Sequence, residues 1–171
     1  MNIDLESCSQ LLESKNTLVI NLLIDHILAQ SSMLDKNDQI LKSILEKKIL
    51  EQPTMKKVAL WALDKNRIDY IKMILDSPNM DPCFDDYYLI YQAINKGYSE
   101  IAIILLNDSR VIAQQHMIPH VLDRAVSNNL TDVVTLLLKN PLIYPTENIY
   151  HKAYYGNRFD MLKLLIFKKV I

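Results

Sequence analysis

Glycine is nearly absent: the 171 residues hold two, Gly97 and Gly156. Neither sits in a glycine-rich phosphate-loop pattern, so nucleotide chemistry of that kind is excluded. Cysteine is as scarce. Cys8 and Cys83 lie far apart and form neither a disulfide framework nor a C-x-x-C pair, which fits a reducing, intracellular and cytoplasmic setting. No apolar run exceeds six residues, as at 58–63, far too few to span a bilayer. The opening residues 1–6 are neither basic nor strongly apolar, so no secretory leader is expected. Charge of one sign is not in excess either. Nineteen Lys and Arg against twenty Asp and Glu leave −1, which gives no bulk attraction to nucleic acid or anionic lipid. What the chain does have is apolar residues: half of it, ample for the core of one domain or one short solenoid.

A recurrence organises that apolar half. Residues 93–106 read A-I-N-K-G-Y-S-E-I-A-I-I-L-L. Residues 125–138 read A-V-S-N-N-L-T-D-V-V-T-L-L-L, residues 153–166 read A-Y-Y-G-N-R-F-D-M-L-K-L-L-I, and residues 62–75 read A-L-D-K-N-R-I-D-Y-I-K-M-I-L. Four residues after each alanine stand Asn66, Gly97, Asn129 and Asn157, the residue types that tolerate a left-handed backbone. A helix stopping there and turning into another is the expected structure. Three residues later comes an acid, Asp69, Glu100, Asp132 or Asp160, suited to the positive end of a helix. Apolar pairs then repeat at helical spacing. Each unit is therefore a helix pair that cannot bury its apolar face alone, and neighbours must stack.

These residues resemble the ankyrin repeat: the alanine, the Gly or Asn four later, the acid and the V-V-x-L-L-L run, at a period near 33 residues. The stretches 76–82 and 139–145 are similar to the L-L-x-x-P-x-V-D-P connectors of that family, and 107–111 is a looser copy. The T-P-L-H helix start is absent, and only His151 keeps its histidine, where the resemblance implies a structural role in the turn. The resemblance implies an all-α, ankyrin-like solenoid of stacked helix pairs with short extended connectors. It implies one domain over 1–171, with two degenerate or capping repeats in 1–51 and clearer ones at 55–85, 86–116, 117–146 and 147–171. Within 1–51, Asn16 and Asn37 are read as turn residues; the competing reading is an unrelated helical bundle. Helices are predicted near 55–65, 68–77, 87–96, 99–107, 118–127, 131–139, 147–155 and 159–168. The connectors 78–86, 108–116 and 140–146 are predicted to be extended.

Catalysis is not expected. His116 and His120 are four apart, but Pro119 lies between them and no Cys or acid completes a metal set. The repeated acids recur with the structural period and are helix-start residues rather than an acid–base pair. No cofactor is implied. What remains is surface. In ankyrin-like stacks the partner is a protein met by connector tips and the open side of each first helix. The resemblance therefore points to Asp81, Phe84, Asp85, Asp86, Tyr87, Arg110, Gln114, Gln115, Tyr144 and Glu147 on the connectors. It points equally to the position before each alanine: Trp61, Gln92, Arg124 and Lys152. Trp61 has two readings, a binding hot spot or a filler of the seam between repeats. Degenerate arrays of this kind are similar to those with which large DNA viruses and intracellular pathogens divert host proteins. Neither nucleic acid nor membrane is an expected partner. The last helix is apolar on more than one face, which suggests cover by a second copy, a partner or further sequence. Self-assembly through that helix is the alternative to partner binding; packing of the extra apolar residues on their own repeat is the plainer reading.

Overall fold

The computed structural model describes residues 13, 16–30, 35–113 and 117–169. Among them every regular element is a helix. In chain order these are α1 (Thr17–Leu28), α2 (Asp35–Glu46), α3 (Gln52–Asp64), α4 (Ile68–Leu75), α5 (Phe84–Asn95), α6 (Ser99–Leu106), α7 (Ser109–Ile112), α8 (Ile118–Ser127), α9 (Thr131–Leu138), α10 (Glu147–Tyr155) and α11 (Phe159–Lys169). None of them is long and apolar enough to cross a membrane. The chain divides into two compact units, Met1–Asp81 and Pro82–Ile171.

One turn is built four times. The left-handed residue has φ of 52° at Asn66, 75° at Gly97, 58° at Asn129 and 55° at Asn157. The amide that follows it donates back to the alanine carbonyl: Arg67 to Ala62, Tyr98 to Ala93, Leu130 to Ala125 and Arg158 to Ala153, at 2.7 to 2.9 Å. Each left-handed residue itself donates to the carbonyl one residue past the alanine, at 3.0 to 3.1 Å. This double closure satisfies carbonyls that the helix end would leave orphaned. All four alanines are fully buried. The acids Asp69, Glu100, Asp132 and Asp160 all fall in first turns, as their place after the turn requires.

The connectors also share one geometry, which differs from the extended one predicted. The amides of Ser77, Asp108 and Asn140 donate to Ile74, Leu105 and Leu137, and those of Met80, Val111 and Ile143 donate to Ser77, Asp108 and Asn140. Met80, Val111 and Ile143 are buried and pin each connector to its unit. No strand occurs among the described residues, and 109–112 is a short helix. Asp108, whose side chain accepts from the Arg110 amide at 2.9 Å, starts it.

In the unit 82–171, α5 packs on α6, α8 on α9 and α10 on α11. The first helices touch in the order α5, α8, α10 and the second helices in the order α6, α9, α11. In the unit 1–81, α1 meets α2 and α3, while α4 meets α2 and α3. Here the sequence reading needs correction. Asn37 is not a turn residue: it lies in the first turn of the continuous helix α2. Asn16, at φ −74°, caps α1 by accepting from the Val19 amide at 3.3 Å. Among the described residues of 1–51, α1 and α2 are the two helices, and they pack on each other. Leu11 and Leu12 lie outside the described residues.

Within α5 the backbone departs from right-handed helix. Asp85, Asp86 and Tyr87 have φ of 48°, 54° and 64°. The right-handed part begins after Tyr87, and the buried rings of Phe84 and Tyr87 bracket the left-handed turn.

Candidate interaction surfaces

The position before each alanine was expected to face a partner. At Lys152 and Arg124 it reaches the preceding pair. The Lys152 ammonium pairs with both carboxylate oxygens of Asp123 at 2.6 Å. The Arg124 guanidinium lies 4.7 Å from the centre of the Tyr91 ring and donates to Asn95 Oδ1 at 3.3 Å. The partner residue stands two before the preceding alanine both times, so this is a seam between neighbours. Arg124 remains exposed all the same, whereas Gln92 is half-buried.

Trp61 is half-buried, with its ring edge-on to Tyr70 at 5.3 Å. Its indole N–H is buried and has no hydrogen-bond partner. Tyr70 anchors a polar cluster that sequence reasoning missed. Its hydroxyl donates to Asp38 Oδ1 at 2.9 Å. Arg67 donates from Nη2 to Asp38 at 2.7 Å and forks onto Asp69 at 2.9 and 2.8 Å. Lys42 pairs with Asp38 at 2.8 Å and with Asp69 at 3.2 Å. The Arg67 guanidinium also lies 4.6 Å from the Tyr70 ring centre. Burial by itself raises the Asp38 carboxyl, but hydrogen bonds from Lys42, Arg67 and Tyr70 outweigh it and hold the group below its ordinary value. The Arg67 fork, against the opposing effect of burial and with help from Lys42, holds Asp69 well below its own. Burial and the neighbouring Asp38 push the Tyr70 hydroxyl far up. Two acids and two cations neutralise each other, so the cluster ties α2 to α4 and offers no unpaired group for chemistry. The signal in the sequence was the i,i+4 pair Asp38 and Lys42.

On the connectors the expected contact residues divide. Phe84 and Tyr87 are buried and belong to the core rather than to a contact face, which corrects their placement. Arg110 is clamped by the Asp108 carboxylate at 2.8 and 2.6 Å. Asp81, Asp85 and Asp86 are exposed, and the Asp81 amide donates to Gln52 Oε1 at 2.9 Å. Tyr144 is 75 % exposed, and the Glu147 carboxylate stands almost free in solvent, 3.9 Å from His151. His151 is itself exposed and lies edge-on to Tyr155, so it is not the turn-bonding histidine that the resemblance implied. Gln114, Gln115 and His116 lie outside the described residues.

Two small hollows run along the connector edge of the unit 82–171. One, of about 170 Å³, is walled by Leu106, Val111, Ile112, Met117 and Ile118; the other, of about 210 Å³, by Pro119, Leu122, Leu142 and Tyr144. Ile118 and Ile143 line both. A third, of about 380 Å³, is lined by Tyr144, Pro145, Glu147, Tyr150 and Lys168. The first two are mostly apolar; Asn107, Asn140 and Thr146 are the polar members of their walls. Among the described residues no three His, Cys, Asp or Glu side chains gather as metal ligands.

Comparison with protein-family models, with curated proteins and with solved structures finds no match.

What this geometry can do is hold side chains still. Neighbouring pairs are tied across 28 to 33 residues by Thr54 to Asn21, Lys57 to Asp25, Arg158 to Val126 and Lys168 to the Asn140 carbonyl. A surface fixed in this way loses little freedom when something docks on it.

Proposed function

We propose that the chain is an ankyrin-like stack of helix pairs whose work is to bind a protein, without a reaction centre. The single observation that supports this best is the turn built four times with the same two hydrogen bonds around a buried alanine. A closed globule has no reason to repeat one closure at intervals of 28 to 32 residues. A stack has, because every pair meets its neighbours in the same way.

The contact surface proposed is the connector edge of the unit 82–171. Ile112, Leu142 and Tyr144 are exposed there, at 54 %, 67 % and 75 %, beside the two apolar hollows. Arg124 and Glu147 contribute exposed charge on the first helices. The likeness to arrays of large DNA viruses and intracellular pathogens makes a host protein in the host cytoplasm the partner proposed; that likeness is analogy.

The test is quantitative capture from host-cell lysate by the full chain and by a Leu142→Ser, Tyr144→Ser, Glu147→Ala variant of unchanged helicity. One protein retained near stoichiometry by the parent and lost from the variant is expected. Capture indifferent to the variant would reject the surface, and specific turnover of a small molecule by the chain would reject the reading as a whole.

A further inference from the structure

Aligning the three pairs of the unit 82–171 on Ala93, Ala125 and Ala153 sets equivalent positions side by side. One residue after the alanine stand Ile94, Val126 and Tyr154; the first two are fully buried and Tyr154 is 56 % exposed. Thirteen after it stand Leu106, Leu138 and Ile166, at 7 %, 8 % and 48 %. Three before it, Ile90 and Leu122 are buried while Tyr150 is half-buried; nine after it, Ala102 and Val134 are buried while Leu162 is half-buried. These four positions are closed in the pairs that carry a following pair and open in α10 and α11. They mark the stacking face, and the last pair keeps it apolar.

A second set of positions shows the same bias from the other side. Two residues after the alanine the inner pairs have exposed Asn95 and Ser127; the last has Tyr155, 78 % exposed. Fourteen after it they have exposed Asn107 and Lys139; the last has Phe167, 66 % exposed. Six after it they have Ser99 and Thr131; the last has Phe159, 55 % exposed. A stack that ends in water exchanges apolar for polar residues on its outer face. Here the exchange runs the opposite way, in the centre of the face and around it.

We propose that this face binds a second copy of the chain, α10 and α11 of one protomer packing on α10 and α11 of the other about a two-fold axis. None of the seven positions carries a charge, so meeting its own image sets no like charges together. Asp160 and Lys163, exposed on the same helix, neutralise each other at 3.3 Å. A foreign partner recognised by charge would find nothing there to select it. The area suits a dimer as well. Four aromatics more than half exposed offer roughly 500 Å² per copy. With Tyr150, Leu162 and Ile166 the patch approaches the ~800 Å² per partner typical of a stable complex. The inference rests on the register of the pairs and not on the protein-binding reading, so either can fail alone.

Light scattering on the full chain, from low micromolar to several hundred micromolar protein, tests it. The mass is expected to rise from 19.9 kDa toward twice that value. A Tyr155→Ser, Phe159→Thr, Phe167→Lys variant gives the last pair the solvent residues of its neighbour. It is expected to stay at the single-chain mass throughout, with unchanged helical circular dichroism. Should it unfold, Tyr155→Ser alone is expected to weaken the dimer at least tenfold. A parent that remains single at every concentration overturns the proposal. So does a dimer insensitive to these changes, one abolished instead by Leu18→Lys with Leu22→Lys on α1, or growth past two copies.

Discussion

Arg158 donates from Nη1 to the main-chain oxygen of Val126 at 2.6 Å, so the residue that leaves one turn closes the helix end of the preceding pair. Arg67 stands in the same register, directly after the left-handed Asn66, and reaches back to Asp38. A cation at a helix C-terminus meets the negative end of the dipole as well as a carbonyl. Arg158→Ala is therefore expected to lower stability by about 1 to 2 kcal/mol. Arg158→Lys should recover part of the loss. Urea melts followed by circular dichroism measure both; an unchanged midpoint for the alanine variant would show that the tie contributes nothing.

The left-handed run at Asp85, Asp86 and Tyr87 makes the opposite kind of prediction. A side chain in that region costs roughly 1 to 2 kcal/mol, and a glycine avoids most of it. Asp86 is exposed, at φ 54°. Asp86→Gly is expected to raise the stability of the unit 82–171 by about 1 kcal/mol, and Asp86→Ala is not. The reverse holds at Gly97, φ 75°: Gly97→Ala meets no neighbouring atom yet is expected to cost about 1 kcal/mol from the backbone alone. If Asp86→Gly and Asp86→Ala melt together, strain at this turn is not a term in stability.

Much of the helical architecture was legible because it is written locally. Asn66, Gly97, Asn129 and Asn157 announce their turns through backbone tolerance, and a short polar break followed by an acid starts a helix wherever it occurs. The same rule misled at Asn37: an Asn inside a polar stretch is also at home in the first turn of a helix, as in α2. The candidate surface was less legible. Phe84 and Tyr87 lie on a connector, where the resemblance puts contact residues, but an aromatic residue there can as well turn inward to pin it, and both do. Lys152 looked free because its partner, Asp123, lies 29 residues away on the preceding pair. Contacts across a repeat are invisible to any window shorter than the repeat.

The cluster around Asp38 makes stability depend on pH in two directions. Both acids are held below their ordinary value of 3.8, so their contribution is complete above about pH 4 and disappears as pH falls toward the folded values. Tyr70 is raised from 10.0, so its contribution is complete below pH 10 and disappears as pH climbs further. Asp38→Asn is expected to cost about 2 kcal/mol at pH 7. The gap between variant and parent should narrow steadily below pH 4. Asp69 is more open, at 43 % side-chain exposure, and Asp69→Asn should cost less because solvent screens it. A gap for Asp38→Asn that stays constant from pH 7 to pH 3 would mean that the carboxylate is not what ties α2 to α4.

Trp61 separates packing from recognition. Its indole N–H is buried without a partner, which costs about 1 to 3 kcal/mol relative to an apolar group of the same shape. Phenylalanine can keep the edge-on contact with Tyr70 and removes the unsatisfied donor. Trp61→Phe is therefore expected to leave stability unchanged or to raise it by up to about 1 kcal/mol. Trp61→Ala should lose about 3 kcal/mol, because it opens a cavity beside a fully buried tyrosine. As Trp61 is the sole tryptophan, its fluorescence reports the site directly. Emission should be blue-shifted and poorly quenched by iodide, before and after a partner is added. A red-shifted, readily quenched indole that becomes protected on binding would make Trp61 a contact residue after all.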